Sequence, residues 1–515
     1  MLTYDFRDRG NETLYEYLYR KIRQDILAGE LRPGERMPSR RAFARNLGIS
    51  VITVETAYSQ LAAEGYLEPR PRSGYYVEQI GRSLILPEAH TGSPAGISRD
   101  PQRTDPQADH TPDLLHADPH TDHPPDLPHA DLPGDQPADL PPVRIDLSQS
   151  GIPSDRFPFP IWSRLMREIL STRRRELMTR SPGNGILELR AAIAQFLRQY
   201  QNLRVSPEQI VIGAGTEYLY SLLIRLLGHD KIYAMETPGY RKTERIYRSS
   251  AVEVRNIPMD RNGIDIDLLR ESGADVVHIS PSHQFPTGIT MPVARRSELL
   301  SWCMEGGGKM RRYIIEDDYD SEFRLSGRPI PPLMSIDRSE SVIYLNTFTN
   351  SVSPAIRISY MVLPGRLLQE YREKLGFYSC TVPNFEQYIL AEFIGRGYFE
   401  KHINRMRNYY RQKKARLLDA LKNSRLGDCV EVHGADAGLH FLITVRADCT
   451  QEELTERAGH RGVRILSLER YEAGTRHREG QLPCMVVNYP GLTDEQIDAL
   501  PDLLLKAWED VLRMP

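Results

Sequence analysis

At 515 residues, 40% hydrophobic and 26% charged with a net charge of −3, the chain is too long for one ordinary core and has the composition of a globular protein. It holds no run of about eighteen apolar residues, which excludes a membrane-spanning helix. Residues 1–30 carry acidic groups and lack a signal-peptide core, so a cytoplasmic protein is expected. The scattered cysteines (Cys303, Cys380, Cys429, Cys449 and Cys484) form no C-x-x-C pair, which argues against a disulfide framework and against a zinc site.

Residues 11–78 show helical periodicity and then a short strand-like end. Leu14, Leu18, Ile22 and Ile26 recur every four residues, one apolar stripe on a first helix. Ser39 is a suitable N-cap for a second helix with Phe43 and Leu47 facing inward. Gly48 takes the turn, and Ser50 caps a third helix whose apolar positions are Val54, Ala57, Tyr58 and Leu61. Tyr66-Leu67 and Tyr75-Tyr76-Val77 bracket Arg70-Pro71-Arg72-Ser73-Gly74, a hairpin with a basic tip. The pattern is a helix-turn-helix followed by a wing. Such a third helix puts Ser50, Val51 and Thr53 at base edges, with Arg40, Arg41, Arg45, Arg70 and Arg72 around it to neutralise phosphates. The string from Met37-Pro38-Ser39-Arg40-Arg41 through Leu47-Gly48-Ile49-Ser50 to Glu64-Gly65-Tyr66-Leu67 and Arg72-Ser73-Gly74 resembles the GntR class of winged-helix regulators. The resemblance implies a double-stranded DNA operator as partner. Val51 and Ile52 stand where that class often has Arg or Asn, and Glu55 faces them, which shifts base reading toward thymine methyls or toward Arg41 and Arg45.

Residues 79–143 are dominated by Pro, Asp and His. From Pro87 to Pro142 the chain carries a net −9 and no aromatic residue, leaving +6 on the remainder. Such a stretch cannot bury enough apolar surface to offset its ordering entropy, so a disordered linker is expected. Its histidines (His110, His116, His120, His123 and His129) read as solvated spacer rather than metal ligands.

From residue 144 to 515, strand-like and helix-like segments alternate. Buried parallel strands are expected at 209–212, 232–235, 276–279, 313–315 and 342–345, with helices at 216–227 and 292–304 between them. Ligands of such α/β sheets sit beyond the carboxyl ends of the strands. There the sequence places Gly213-Ala214-Gly215-Thr216, Ser280-Pro281-Ser282-His283-Gln284-Phe285-Pro286-Thr287-Gly288, Glu316-Asp317-Asp318-Tyr319-Asp320, and Thr347-Phe348-Thr349-Asn350 leading to Arg357. With Gly183-Asn184-Gly185 and Leu187-Glu188-Leu189-Arg190, this order resembles the fold-type I aminotransferases; behind a GntR-like domain it resembles the MocR family of regulators. The resemblance implies a pyridoxal 5'-phosphate pocket. In it Asp317 would pair with the pyridine nitrogen, Tyr319 with the phenolic oxygen and Tyr240 with the ring face, while Ala214, Gly215, Thr216, Thr347 and Arg357 would hold the phosphate.

The family has a lysine that forms a Schiff base with the cofactor, and here that position is Asn350. A carboxamide nitrogen has its lone pair delocalised and cannot make the bond, so no catalytic residue is expected and conventional transamination should fail. Val486 aligns where many aminotransferases have a substrate-binding arginine. The expectation is a homodimeric, nucleoid-associated transcription regulator that senses pyridoxal phosphate or an adduct of it with an amino acid, without covalent anchoring. The alternatives are an aminotransferase using another lysine, such as Lys242, and a cofactor-free dimerisation scaffold.

Overall fold

The computed structural model describes residues 4, 6–9, 12–70, 73–79, 141–149, 151–305, 311–325, 330–435, 438–473 and 481–513. Nearly all of the expected linker lies outside them, as does Arg72. Residues 141–143, assigned to the linker from sequence, belong to the compact body of the chain.

The N-terminal part follows the caps written in its sequence. Helix α1 (Leu14–Ala28) opens with a capping box between Thr13 and Glu16. Helix α2 (Arg40–Leu47) starts where Ser39 Oγ accepts the Ala42 N–H at 3.3 Å, and α3 (Val51–Ala63) where Ser50 Oγ accepts the Thr53 N–H at 3.0 Å. Gly48, between them, has φ 66°. Strands β1 (Leu67–Arg70) and β2 (Gly74–Val77) pair antiparallel as the wing. Leu18, Ile22, Phe43, Val54, Ala57, Tyr58 and Leu61 are completely buried. Leu14 is only half-buried, and Tyr17 takes the inward place. A four-residue spacing drifts about 40° per step against a 3.6-residue turn, so a stripe that long cannot stay on one face. Tyr4 and Phe6 pack on Phe43 and Tyr17, so residues before position 11 also contribute.

Beyond the linker come β3 (Ile145–Asp146), α4 (Phe159–Thr172), α5 (Arg174–Leu177), α6 (Leu187–Tyr200), β4 (Ile210–Gly213), α7 (Thr216–Leu227), β5 (Ile232–Thr237) and α8 (Arg241–Ser249). There follow β6 (Glu253–Asp260), β7 (Gly263–Ile264), α9 (Ile266–Glu271), β8 (Val276–Ile279), α10 (Val293–Glu305), β9 (Tyr313–Asp317), β10 (Val342–Thr347) and β11 (Ser359–Val362). Helices α11 (Gly365–Leu375), α12 (Asn384–Gly395) and α13 (Tyr398–Lys422) lead to β12 (Val430–His433), β13 (His440–Val445) and α14 (Gln451–Gly459). The last elements are β14 (Val463–Arg464), β15 (Leu466–Ser467), β16 (Cys484–Asn488) and α15 (Asp494–Trp508). One sheet has eight strands in the order β4-β11-β10-β9-β8-β5-β6-β7, and another has four in the order β12-β13-β16-β15. Strands β10, β9, β8, β5 and β6 pair in parallel, and apolar residues such as Val276, Val277, Ile279, Ile314 and Ile315 are buried because both sheet faces are covered. The expected strand at 209–212 is β4, but its partner is β11, which runs antiparallel to both β4 and β10. Among the described residues no helix is long and apolar enough to cross a membrane.

A seam joins the winged helix to the large sheet domain. The Glu64 carbonyl accepts the Val293 N–H at 3.1 Å, and Pro292 packs so tightly on Gly65 that a Cβ there would stand 2.9 Å from Pro292 Cβ. The buried Glu64 carboxyl accepts from Tyr19 Oη at 2.6 Å and Gln60 Nε2 at 2.5 Å, and burial pushes its pKa up against the pull of Arg23. Behind the seam, buried Arg296 donates to the carbonyls of Met291 (3.0 Å), Pro281 (3.0 Å) and Pro331 (2.6 Å). It therefore staples the two ends of segment 281–291, which the Met291 N–H also closes on the Pro281 carbonyl at 2.9 Å.

Candidate cofactor pocket and DNA-binding face

Asp317 ends β9, where strand alternation and the parallel sheet bring it to the carboxyl edge. Its Oδ2 accepts from Tyr220 Oη at 2.5 Å and lies 3.4 Å from His278 Nε2. The other imidazole nitrogen, His278 Nδ1, is 2.7 Å from Tyr247 Oη, so three residues orient one carboxylate. Asp317 Oδ1 is buried and has no hydrogen-bond partner. An acceptor left in this state is costly unless something donates to it, and a protonated pyridine nitrogen is such a donor.

A second group of residues suits an anion. Helix α7 begins at Thr216, so its first-turn N–H groups and dipole face the strand end. The Arg357 guanidinium lies over Gly215, where a Cβ would meet Arg357 Nη2 at 2.8 Å, so only glycine allows this approach. Glu217 holds the cationic groups in place: Lys242 Nζ is 2.5 Å away and Arg357 Nη2 is 3.7 Å away. The hydrogen bond from Lys242, with Arg357 behind it, keeps the Glu217 pKa below the ordinary value. Two further expected phosphate ligands already have hydrogen-bond partners. The Ala214 N–H donates to Thr381 Oγ1 at 3.0 Å, and Thr347 Oγ1 is surrounded by Thr349 Oγ1, the Thr349 N–H and Ser359 Oγ.

A third group of residues is an aromatic cluster centred on Phe285. Its ring meets Tyr240 at 5.8 Å, Tyr319 at 6.4 Å, His440 at 4.9 Å and Tyr471 at 5.2 Å. Tyr240 is 52% exposed. Burial, and then the neighbouring carboxylates of Asp320, Asp317 and Asp318, push the Tyr319 pKa well up, so its hydroxyl remains a donor at neutral pH. Asn350 Nδ2 donates to the Tyr319 carbonyl at 3.1 Å, which holds the carboxamide to the strand end. Val486 is completely buried in β16 and carries no polar group to any ligand.

On the winged helix, Ser50, Val51 and Ile52 are exposed at the start of α3, with Ile52 75% exposed, and Thr53 is half-buried beside them. Arg41 and Arg45 are exposed on α2. Arg40 is paired with Glu55, while Arg70 is paired with Glu68 at 2.7 Å and lies 4.3 Å from the Tyr76 ring centroid. These side chains are about half exposed, and such surface pairs are weak enough to be exchanged for phosphates.

Sequence reasoning missed Tyr220, His278, Glu217 and the pair His283–Asp320. Tyr220 follows Thr216 by one helical turn, a spacing that places both on the same face. The others come together only through the fold.

Residues 14–77 match the family of bacterial regulatory proteins of the gntR type, and residues 144–500 match the aminotransferase class I and II family. The chain is 36% identical to the HTH-type transcriptional regulator YdeL of Bacillus subtilis (strain 168), over 88% of each chain. It is 30% identical to the probable rhizopine catabolism regulatory protein MocR of Rhizobium meliloti, over 89% of this chain and 87% of that one. Among solved structures, the multiple substrate aminotransferase of Thermococcus profundus superposes with a TM-score of 0.62 at 25% identity, covering 73% of this chain and 92% of that chain.

Proposed function

The chain belongs to the MocR-type regulators of the GntR family, DNA-binding proteins with an aminotransferase-like domain, and from that premise we propose that it senses pyridoxal phosphate, or an adduct of it with an amino acid, without covalent anchoring. The carrying observation is the buried, unpartnered Asp317 Oδ1 at the strand end, together with the glycine cradle under Arg357. Both fit this cofactor: Asp317 would accept from the ring nitrogen, Tyr319 would donate to the phenolic oxygen, and Gly215, Thr216 and Arg357 would hold the phosphate. When bound, the group would supply an aldehyde and an electron-poor ring. The resemblance expects a lysine at position 350, and Asn350 offers no amine to that aldehyde, so the pocket works as a receptor and not as a transaminase. Lys242, the alternative amine, is engaged by Glu217.

The coupling to DNA proposed here runs along one segment. Residues 280–288 form a wall of the pocket through His283 and Phe285, and the same stretch continues to Pro292 and Val293 on the winged-helix seam. A ligand that shifts Phe285 therefore acts on a segment held at Arg296 and ending against Glu64 and Gly65. The proposed working form is a homodimer acting in the cytoplasm. Phe159, Met166 and Leu170 stand exposed along one face of α4, which suits burial against a second copy.

The test is titration of the purified full chain with pyridoxal phosphate, then borohydride reduction and intact-mass measurement. Saturable binding without a mass shift, weakened about 10- to 100-fold by Asp317→Ala, is the expected result. A reduced adduct would return the enzyme reading, and no binding at all would leave a DNA-binding scaffold. Equal operator affinity with and without the cofactor would refute the coupling.

A further inference from the structure

We propose that His283, Asp320 and His440 form a site for a divalent first-row transition ion of the zinc class, with a water as fourth ligand. One donor atom from each residue lies within 4.8 Å of the other two, and all three residues are 2–3% exposed. They come from three places in the fold: the segment after β8, the turn after β9, and β13 of the four-stranded sheet.

Three features of the site favour an ion. His283 Nδ1 is 2.9 Å from Asp320 Oδ2 and 3.1 Å from Tyr319 Oη, so a ring nitrogen and a carboxylate oxygen already face one another. His440 Nε2 donates to the Pro286 carbonyl at 3.1 Å, which sets the tautomer and turns Nδ1 into a lone-pair donor. A cavity of about 10 Å³ adjoins the cluster, bounded by Ser282, His283, Asp320, Ser321 and Gly438, with Arg324 on its wall. That is about the room of one water, and Ser282 Oγ is buried there without a partner. Gly438 keeps the space open, because a Cβ there would lie 1.9 Å from His283 Cε1 and 2.7 Å from Asp320 Oδ2.

Two imidazoles and one carboxylate select zinc-like ions over magnesium or calcium, which prefer oxygen ligands. Tetrahedral bonds of about 2.1 Å put ligand atoms about 3.4 Å apart, so the His283–Asp320 pair, at 2.9 Å, would open slightly and the His440 donor, within 4.8 Å of both, would close in. The ion would replace the proton now shared by His283 and Asp320. Asp320 neutralises one of its charges, and Asp317 adds negative potential around the adjoining Tyr319. Bound there, the ion would tie β13 to the strand-end segments that line the pocket.

The test uses the full chain, stripped with a chelator and then dialysed against limiting Zn²⁺ or Co²⁺. Exposed groups elsewhere on any protein can take up metal weakly, so the deciding quantity is a difference. Wild type should retain one ion per chain more than His440→Gln and Asp320→Asn, and its cobalt form should show the intense visible bands of four-coordination. Equal metal content in all three proteins, or a weak six-coordinate cobalt spectrum in wild type, would overturn the proposal. If both variants fail to fold, a weak chelator decides on wild type: one four-coordinate cobalt per chain should survive it, and loss of all cobalt would overturn the proposal.

Discussion

Arg296→Met tests the staple between the pocket wall and the seam. The substitution keeps much of the side-chain volume but removes the donors to the carbonyls of Met291, Pro281 and Pro331, all beside a fully buried guanidinium. A hydrogen bond from a charged donor contributes about 1.5–3 kcal/mol, and a carbonyl left buried without a partner costs about 1–3 kcal/mol. Three lost bonds, with the Pro281 carbonyl still held by the Met291 N–H and part of the loss offset because the arginine no longer has to be desolvated, give a net destabilisation of about 3–5 kcal/mol. Urea unfolding of wild type and variant measures the total. Hydrogen exchange locates it: amides in 282–293 should exchange faster, including the Val293 N–H that bonds across the seam to Glu64. A loss below about 1 kcal/mol with unchanged protection at Val293 would refute the claim that Arg296 holds this segment.

Asn350→Lys should restore an amine at the floor of the pocket, so that pyridoxal phosphate treatment and borohydride reduction yield a covalent adduct absent from wild type; a variant that binds the cofactor without a mass shift would remove Asn350 from the explanation. Glu236 is buried with Oε1 unpartnered, and burial raises its pKa to about 7. Its folded state keeps a proton that the unfolded chain releases near about pH 4.3, so the stability it contributes is full below that value and falls by up to about 3 kcal/mol as pH rises to 7. Glu236→Gln mimics the protonated form, and the stability difference from wild type should grow in favour of the variant over that window; parallel melting curves from pH 4 to 8 would contradict this. Replacing Arg41 and Arg45 together by Gln should lower the slope of log affinity against log salt by about 1.8 if each meets a phosphate. An unchanged slope would move the phosphate contacts elsewhere.

Much of this architecture was legible because the informative residues obey local rules. The caps at Ser39 and Ser50 and the glycine at 48 are short-range signals, and they mark the starts of α2 and α3 and the turn between them. The strand-end motifs were legible for a topological reason, since a parallel sheet delivers the residues after each strand to one edge. What could not be read depended on distant pairing. Nothing near His283 announces Asp320, 37 residues on, or His440 on a different sheet. Strand β11 was overlooked because four residues with two polar or aromatic hydroxyls look like a loop until they are placed between β4 and β10. Ala214 and Thr347 lie in the stretches expected to bind phosphate, but their polar groups are satisfied by Thr381, Thr349 and Ser359, partners that only the folded geometry supplies.

On the proposed reading of the pocket as a receptor, the shared segment from Pro281 to Val293 also constrains how its ligand can change over evolutionary time. A substitution at Phe285 alters the pocket and perturbs the docking of the DNA-binding domain together, so variation there trades recognition against signalling. The wall around Tyr240 and Tyr471 is not part of that segment. Tyr240 and the stretch around Tyr471 touch Phe285 from outside that segment, with the Gly239 N–H bonded to the Tyr471 carbonyl at 2.9 Å. Relatives that respond to different small molecules should therefore diverge first at positions facing 240 and 471, while 281–293 stays uniform among them.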